Sequence, residues 1–182
     1  AVDAIRLAAQ TAGDEAEWTR ALVKETQLRI GLHGYETAVR FLKDSPWPRG
    51  VLSRTTLDLF FAHALVTYAN AYGWEIGRRE KVETAQAVDL KAWTREQIFA
   101  AAESAYLDVW RERDALGREP VARLADFIEP NTYPPDVRGT LRDALAYLYV
   151  ELLADSSRWS PAQANDIFAL DHPAQLKGGP AS

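Results

Sequence analysis

Between Leu57 and Tyr72 the apolar side chains return every three or four residues: Leu57, Phe60, Phe61, Ala64, Leu65, Tyr68 and Tyr72. Such spacing lays them along one stripe of a helix, whereas a half-buried strand would need them at every second position. The same rhythm recurs at Ile98, Ala102, Ala105 and Val109, with Phe99, Tyr106 and Trp110 beside them. No stretch alternates strictly between apolar and polar residues within turn signals, so sheet is not expected. The pattern predicts an all-α fold of about eight helices, near 1–11, 15–32, 35–45, 51–77, 95–116, 120–128, 136–155 and 161–169. With 182 residues, the chain falls in the range of about 100–200 typical of one domain. The reading is a single domain over 1–175 and a flexible tail at 176–182, where "KGGPAS" has linker character.

Start and stop signals agree with the periodicity. Thr94 reads as an N-cap with Gln97 three residues on, and Ser160 as another, with Pro161 at the first helical position and Gln163 to reach back. Gly34 and Gly117 stand where a left-handed C-terminal residue is wanted, and Pro120 opens the next helix. In "EPNTYPPDVRGTLRDALAYLYVELL" each proline pushes the residue before it out of helical backbone, so the helix from 120 must stop. Asp136 then serves as the N-cap of a helix over 136–155. Its Leu141, Leu145, Leu148 and Leu152 share one stripe, while Tyr147, Val150 and Leu153 lie elsewhere. A helix apolar all round is expected at the centre, with hairpins packed around it.

The stretch "GDEAEWTRALVKETQLRIGLHGYETAVRFL", residues 13–42, resembles a tetratricopeptide hairpin, which is placed at 15–45. Trp18 and Leu22 sit in its first helix, Gly34 at the reversal, and the small Ala38 lets two helices approach closely. At an offset of 34, "AIRLA" lies over "AVRFL" and Thr19-Arg20 over Ser53-Arg54. The first helix is a turn too long for the consensus and the second stops before Pro46, which fits an isolated hairpin better than a regular array. The segments "LRIGLHGYETAVRFL", "VDLKAWTREQI", "YPPDVRGTLRDALAYLYVELLADSS" and "WSPAQAND" also resemble the N-terminal helical region of very large bacterial alpha-2-macroglobulin-like proteins. That resemblance implies an exported, periplasmic or extracellular protein in which this helical module precedes a β-rich body. It does not carry protease trapping onto these residues. The start at Ala1 and the lack of Met are what a piece of a longer or processed chain would show.

Several chemistries find no foothold. The chain has no Cys, which removes disulfides, thiolate metal sites and cysteine nucleophiles. A net charge of −5 argues against nucleic acid, and Arg78, Arg79 and Lys81 are interleaved with Glu75, Glu80 and Glu83 as on a solvated helix face. No apolar run approaches the roughly 20 residues needed to cross a bilayer, so membrane insertion is not expected. Neither HExxH, GxSxG nor a phosphate loop is present. Of the three histidines, His33 reads as a helix-end cap and His63, in "FFAHALV", as a hydrogen-bonded core residue. Asp14, Glu15 and Glu17 lie at a helix start, where acids oppose the macrodipole, and nothing fixes Glu80 to Glu83 or Asp155 to Asp166 across a cleft. No catalytic residue, cofactor or metal is therefore expected.

What stands out is aromatic side chains on stiff loops. Trp47 sits between Pro46 and Pro48, and Tyr133 precedes Pro134-Pro135. A ring held on a rigid loop loses little entropy on contact, which suits a partner surface or docking against the protein's own helices. Trp47, Asn131, Thr132 and Tyr133 are the candidate partner surface. The expected function is a non-enzymatic helical scaffold for protein or peptide segments, including other domains of the same chain. The alternative is a ligand-binding domain or small enzyme with a pocket near His63, Tyr68 and Tyr147.

Overall fold

Helices form where the stripes and caps predict them, and the departures fall at identifiable backbone breaks. In the computed structural model, residues 2–80, 88–129 and 132–155 are described. They form α1 (Val2–Ala12), α2 (Glu15–His33), α3 (Tyr35–Asp44), α4 (Val51–Ala71), α5 (Gly73–Ile76), α6 (Arg95–Arg111), α7 (Arg113–Leu116), a 3-10 turn (Val121–Leu124), α8 (Pro135–Arg138) and α9 (Leu141–Ala154). No strand occurs among them, so the fold is all-α; the predicted helix 161–169 with its Ser160 cap lies outside the described residues. No helix among them is long and apolar enough to cross a membrane.

Two long predicted helices are each cut short. The helix expected over 51–77 breaks at Tyr72 (φ −112°, ψ 20°), and that over 95–116 at Glu112 (φ −91°, ψ 10°). The segment 120–128 yields only the 3-10 turn. The helix expected over 136–155 is interrupted because its backbone is engaged elsewhere: Val121 N–H donates to Gly139 at 2.9 Å, and Leu141 N–H to Glu119 at 2.9 Å. Consequently Thr140, not Asp136, starts α9. Its hydroxyl accepts from Asp143 N–H at 3.2 Å, while Asp143 Oδ2 accepts from Thr140 N–H at 3.0 Å, a reciprocal capping box. Gly117 is right-handed (φ −68°, ψ −13°) rather than left-handed. Space is what it supplies, since a Cβ there would lie 3.2 Å from the Arg142 guanidinium.

The helix enclosed on several sides is α4. It packs against α2, α3 and α6, burying Leu57, Phe61, Leu65 and Tyr68 almost completely. From α6 come Ile98, Ala102, Ala105 and Val109, and from α3 Ala38, Val39 and Leu42. α9 does not take the enclosed role foreseen for it, since Tyr147, Val150 and Leu153 are exposed; so is Tyr72, at the end of the α4 stripe. The chain divides into two compact units, 1–146 and 147–182, and the described part of the second is the helix through Ala154 and Asp155.

A single residue reverses the chain between α2 and α3. Gly34 adopts φ 83° and ψ 169°, a region that residues with a Cβ enter only under strain. Around it, α1, α2 and α3 are tied by a buried carboxylate. Glu25 accepts from Arg6 Nε at 2.8 Å and from Arg29 at 2.7 Å, and the Arg29 guanidinium lies 3.9 Å from the centre of the Phe41 ring. Burial pushes the Glu25 carboxyl up, but the two arginine hydrogen bonds outweigh it and hold the group below the usual range.

A second carboxylate joins α2 to α4. Gly50, the N-cap of α4, has no side chain to cap with. The anion comes instead from Glu15, whose carboxylate accepts from Arg49 N–H at 3.1 Å and Gly50 N–H at 2.9 Å. A Cβ on Gly50 would fall on Glu15 Oε2. Glu15→Ala is expected to lower the unfolding free energy by about 1–3 kcal/mol, read as a shift of the urea midpoint at constant slope. Gly50→Ala should act similarly by expelling the carboxylate, and the double variant should lose clearly less than the sum. Full additivity would show that the two residues do not share one contact.

Candidate functional site

The loop aromatics singled out by the sequence are placed differently from one another. Trp47 is half-buried, donating its indole N–H to the Leu42 carbonyl at 2.7 Å, with the Lys43 ammonium 5.0 Å from the ring centre. It closes the end of α3 against its own chain. Thr132 is exposed, and so is Tyr133, whose ring lies under the Arg138 guanidinium at 3.7 Å. Asn131 falls outside the described residues.

The residues of the second trio differ in exposure. His63 is exposed on α4, its Nε2 3.5 Å from Thr67 Oγ1, which corrects the expectation of a core histidine. Its position faces away from the stripe of Leu57, Ala64 and Leu65. Tyr147 is exposed and belongs to the second unit. Tyr68 is buried, and its hydroxyl donates to the Leu90 carbonyl at 3.2 Å and contacts Glu36 Oε1 at 3.3 Å. Arg79 completes this network, donating to Tyr68 Oη at 3.2 Å, to Glu75 at 3.2 Å, to Trp93 O at 3.2 Å and to Leu90 O. Burial, chiefly, raises the Tyr68 phenol above its ordinary range. Arg79 is thus a half-buried clamp on the segment after α5, not part of a solvated helix face. Its neighbour Arg78 stacks on the exposed Trp74 at 3.8 Å.

Two concavities stand out among the described residues. The first, of about 380 Å³, lies along α1 and α2, with Val2, Ile5, Ala21, Val23 and Phe127 as its apolar lining. Glu17, Arg20, Lys24 and Asp126 add charge, and Arg20 Nε pairs with Asp126 at 3.1 Å. Beside it Leu28 and Leu32 continue the Lys24 stripe at i+4 intervals, Leu32 being 75% exposed.

The second, of about 220 Å³, lies between the first half of α4 and the last turns of α6. Thr55, Asp58 and Val109, all buried, form its floor, and the exposed Arg49, Arg54 and Glu112 its rim. Asp108 and Arg111 line it as an ion pair. Asp58 is only 6% exposed and has no hydrogen bond or ion pair among the described residues. Burial pushes its carboxyl up to about 6; Lys43 and Arg54 pull it down, and Asp108 adds to the rise. Asp58 was not foreseen. The signal was present, because Asp58 shares a helical face with Phe61, Ala62 and Leu65 and so had to be buried with them.

No protein-family profile, curated protein or solved structure matches this chain. Nor does any group of three or more His, Asp or Glu converge as a metal shell would require, among the described residues.

The buried carboxyl has a consequence for stability. Folded Asp58 keeps its proton to about pH 6, whereas an unfolded Asp releases it near 3.8. Its contribution to stability is therefore full below about pH 4 and is lost as pH rises through 6. Asp58→Asn, which cannot ionise, should be more stable than the parent at pH 8 by on the order of 1–2 kcal/mol, after allowing for screening at the cleft mouth. The advantage should vanish near pH 4. Urea titrations of both proteins at the two pH values measure this difference.

Proposed function

We propose that the chain is a non-enzymatic helical interaction module that grips an apolar protein segment along the α1–α2 face. The observation carrying this reading is the unburied apolar surface there: Ile5 is 47% exposed, Leu28 45% and Leu32 75%, beside a groove of about 380 Å³ with an apolar lining. Elsewhere on α2 and α3, Leu22, Val39 and Leu42 are fully covered. Isolated exposed apolar residues carry no meaning, but Ile5 and Phe127 in a groove with charges of both signs, and Leu28 and Leu32 following its Lys24 at i+4 intervals, have the make-up of a contact surface.

Magnitude decides what sort of partner fits. Covering a whole Leu or Ile gives roughly 1.5–3 kcal/mol, so finishing the burial of these half-exposed side chains and Phe127 gives about 3–6 kcal/mol. Association costs about 4 kcal/mol or more. A free segment would bind weakly, whereas one tethered nearby would be held, because a short link raises its effective concentration. This suits the resemblance to the helical region of large bacterial alpha-2-macroglobulin-like proteins, in which further domains of the same exported chain would supply the segment. In that reading α2 and α3 act as a tetratricopeptide-like hairpin, and the exposed Thr132 and Tyr133 offer a secondary contact.

Peptides selected from a random display library against the chain should carry apolar anchors. By fluorescence anisotropy they should bind the Ile5→Asp, Leu28→Asp, Leu32→Asp variant at least about tenfold more weakly than the parent, at unchanged helicity. Equal binding to both proteins would sink the assignment of this face.

A further inference from the structure

We propose that the cleft between α4 and α6 binds a compact zwitterion of the amino-acid class, its ammonium group seated on Asp58 and its carboxylate directed to Arg54 and Arg49. This site is separate from the α1–α2 groove and does not rest on that reading.

The charges themselves argue for the occupant. The Asp58 residue is more than nine-tenths buried, and its carboxylate lines a cavity and lacks any hydrogen bond or ion pair among the described residues, so it can be answered only by what enters the cleft. Its natural complement is an N–H cation. Asp108 and Arg111 already neutralise each other, and Glu112 sits on the exposed rim. Arg49 and Arg54 stand at the mouth without an ion pair among the described residues. An acid within and guanidinium groups outside match a ligand with positive and negative ends a few bonds apart. A volume of about 220 Å³ falls below the roughly 300–1,000 Å³ of drug-sized pockets, which excludes nucleotides and larger sugars and suits a small amino acid. Thr55 adds a hydroxyl on the floor and Val109 an apolar wall.

The buried acid also couples the ligand to protons. The charges acting on Asp58 are Lys43 from α3, Arg54 from its own helix and Asp108 from α6. An arriving ammonium favours ionised Asp58, so binding should release a proton and tighten as pH rises through about 6.

The experiment titrates the 15N-labelled 182-residue chain with glycine, L-alanine, L-serine and L-lysine at pH 7.5, with methylammonium and acetate as single-charge controls. At least one amino acid should give saturable amide shifts confined to residues 49–58 and 108–112. Each control should bind about tenfold more weakly or not at all. Asp58→Asn should reduce affinity about tenfold or more, and the unaltered protein should bind more weakly at pH 5 than at pH 7.5. The pH comparison needs no substitution, so a folding defect in the variant cannot mask the result. Saturation by none of the amino acids, acetate binding as well as they do, or an affinity indifferent to pH would each overturn the proposal.

Discussion

The two-sided burial of α4 is the constraint from which the rest follows. With Leu57, Phe61, Leu65 and Tyr68 on one helix, no single neighbour can cover the apolar surface, so α2 and α3 and then α6 are drawn against it. Helices packed this closely enclose polar side chains as well. Thr56 resolves its own burial by donating to the Leu52 carbonyl one turn back at 2.9 Å. A carboxylate has no donor with which to do the same. Asp58 therefore keeps its proton up to about pH 6, well above an ordinary aspartate, and it lines the polar cleft.

The polar ties are made by long-range carboxylates and guanidinium groups rather than by surface pairs. Glu25 gathers arginines from α1 and α2, Glu15 reaches from α2 to the start of α4, and Arg79 gathers the carbonyls of Leu90 and Trp93. Each satisfies backbone or side-chain groups that the helix ends and loops would otherwise leave open. Exposed pairs such as Arg20 with Glu17 at 3.6 Å add little by comparison.

Much of this was legible in the sequence, and the failures share a cause. The stripes at 57–68 and 98–109 became the core, Thr94 and Gln97 formed their capping box, and Gly34 made the reversal, because each depends on residues a few positions apart. The errors lie where distant segments decide. Gly139 and Leu141 pair with Val121 and Glu119, which no local pattern announces, so the break before α9 went unseen. Gly117 is small because Arg142 passes beside it, not because its backbone is left-handed. His63 was judged by its apolar neighbours in sequence rather than by its angular position, and Asp58 was overlooked for the same reason. For Trp47 the stiff loop left a partner surface or docking on the protein's own helices open, and its indole N–H meets the Leu42 carbonyl.

The order of the helices matters while the chain is being made. α1, α2 and α3 are neighbours in sequence and in space, so they can settle as they leave the ribosome. α4 finds α2 and α3 waiting, but its other side is covered by α6, which ends at Arg111, 40 positions beyond Ala71. At about 5–20 residues per second, that side stays open to water for roughly 2–8 seconds. During that interval the side of α4 that α6 will cover is an unfinished surface, so nascent chains stalled between α4 and α6 are those with greatest need of a chaperone.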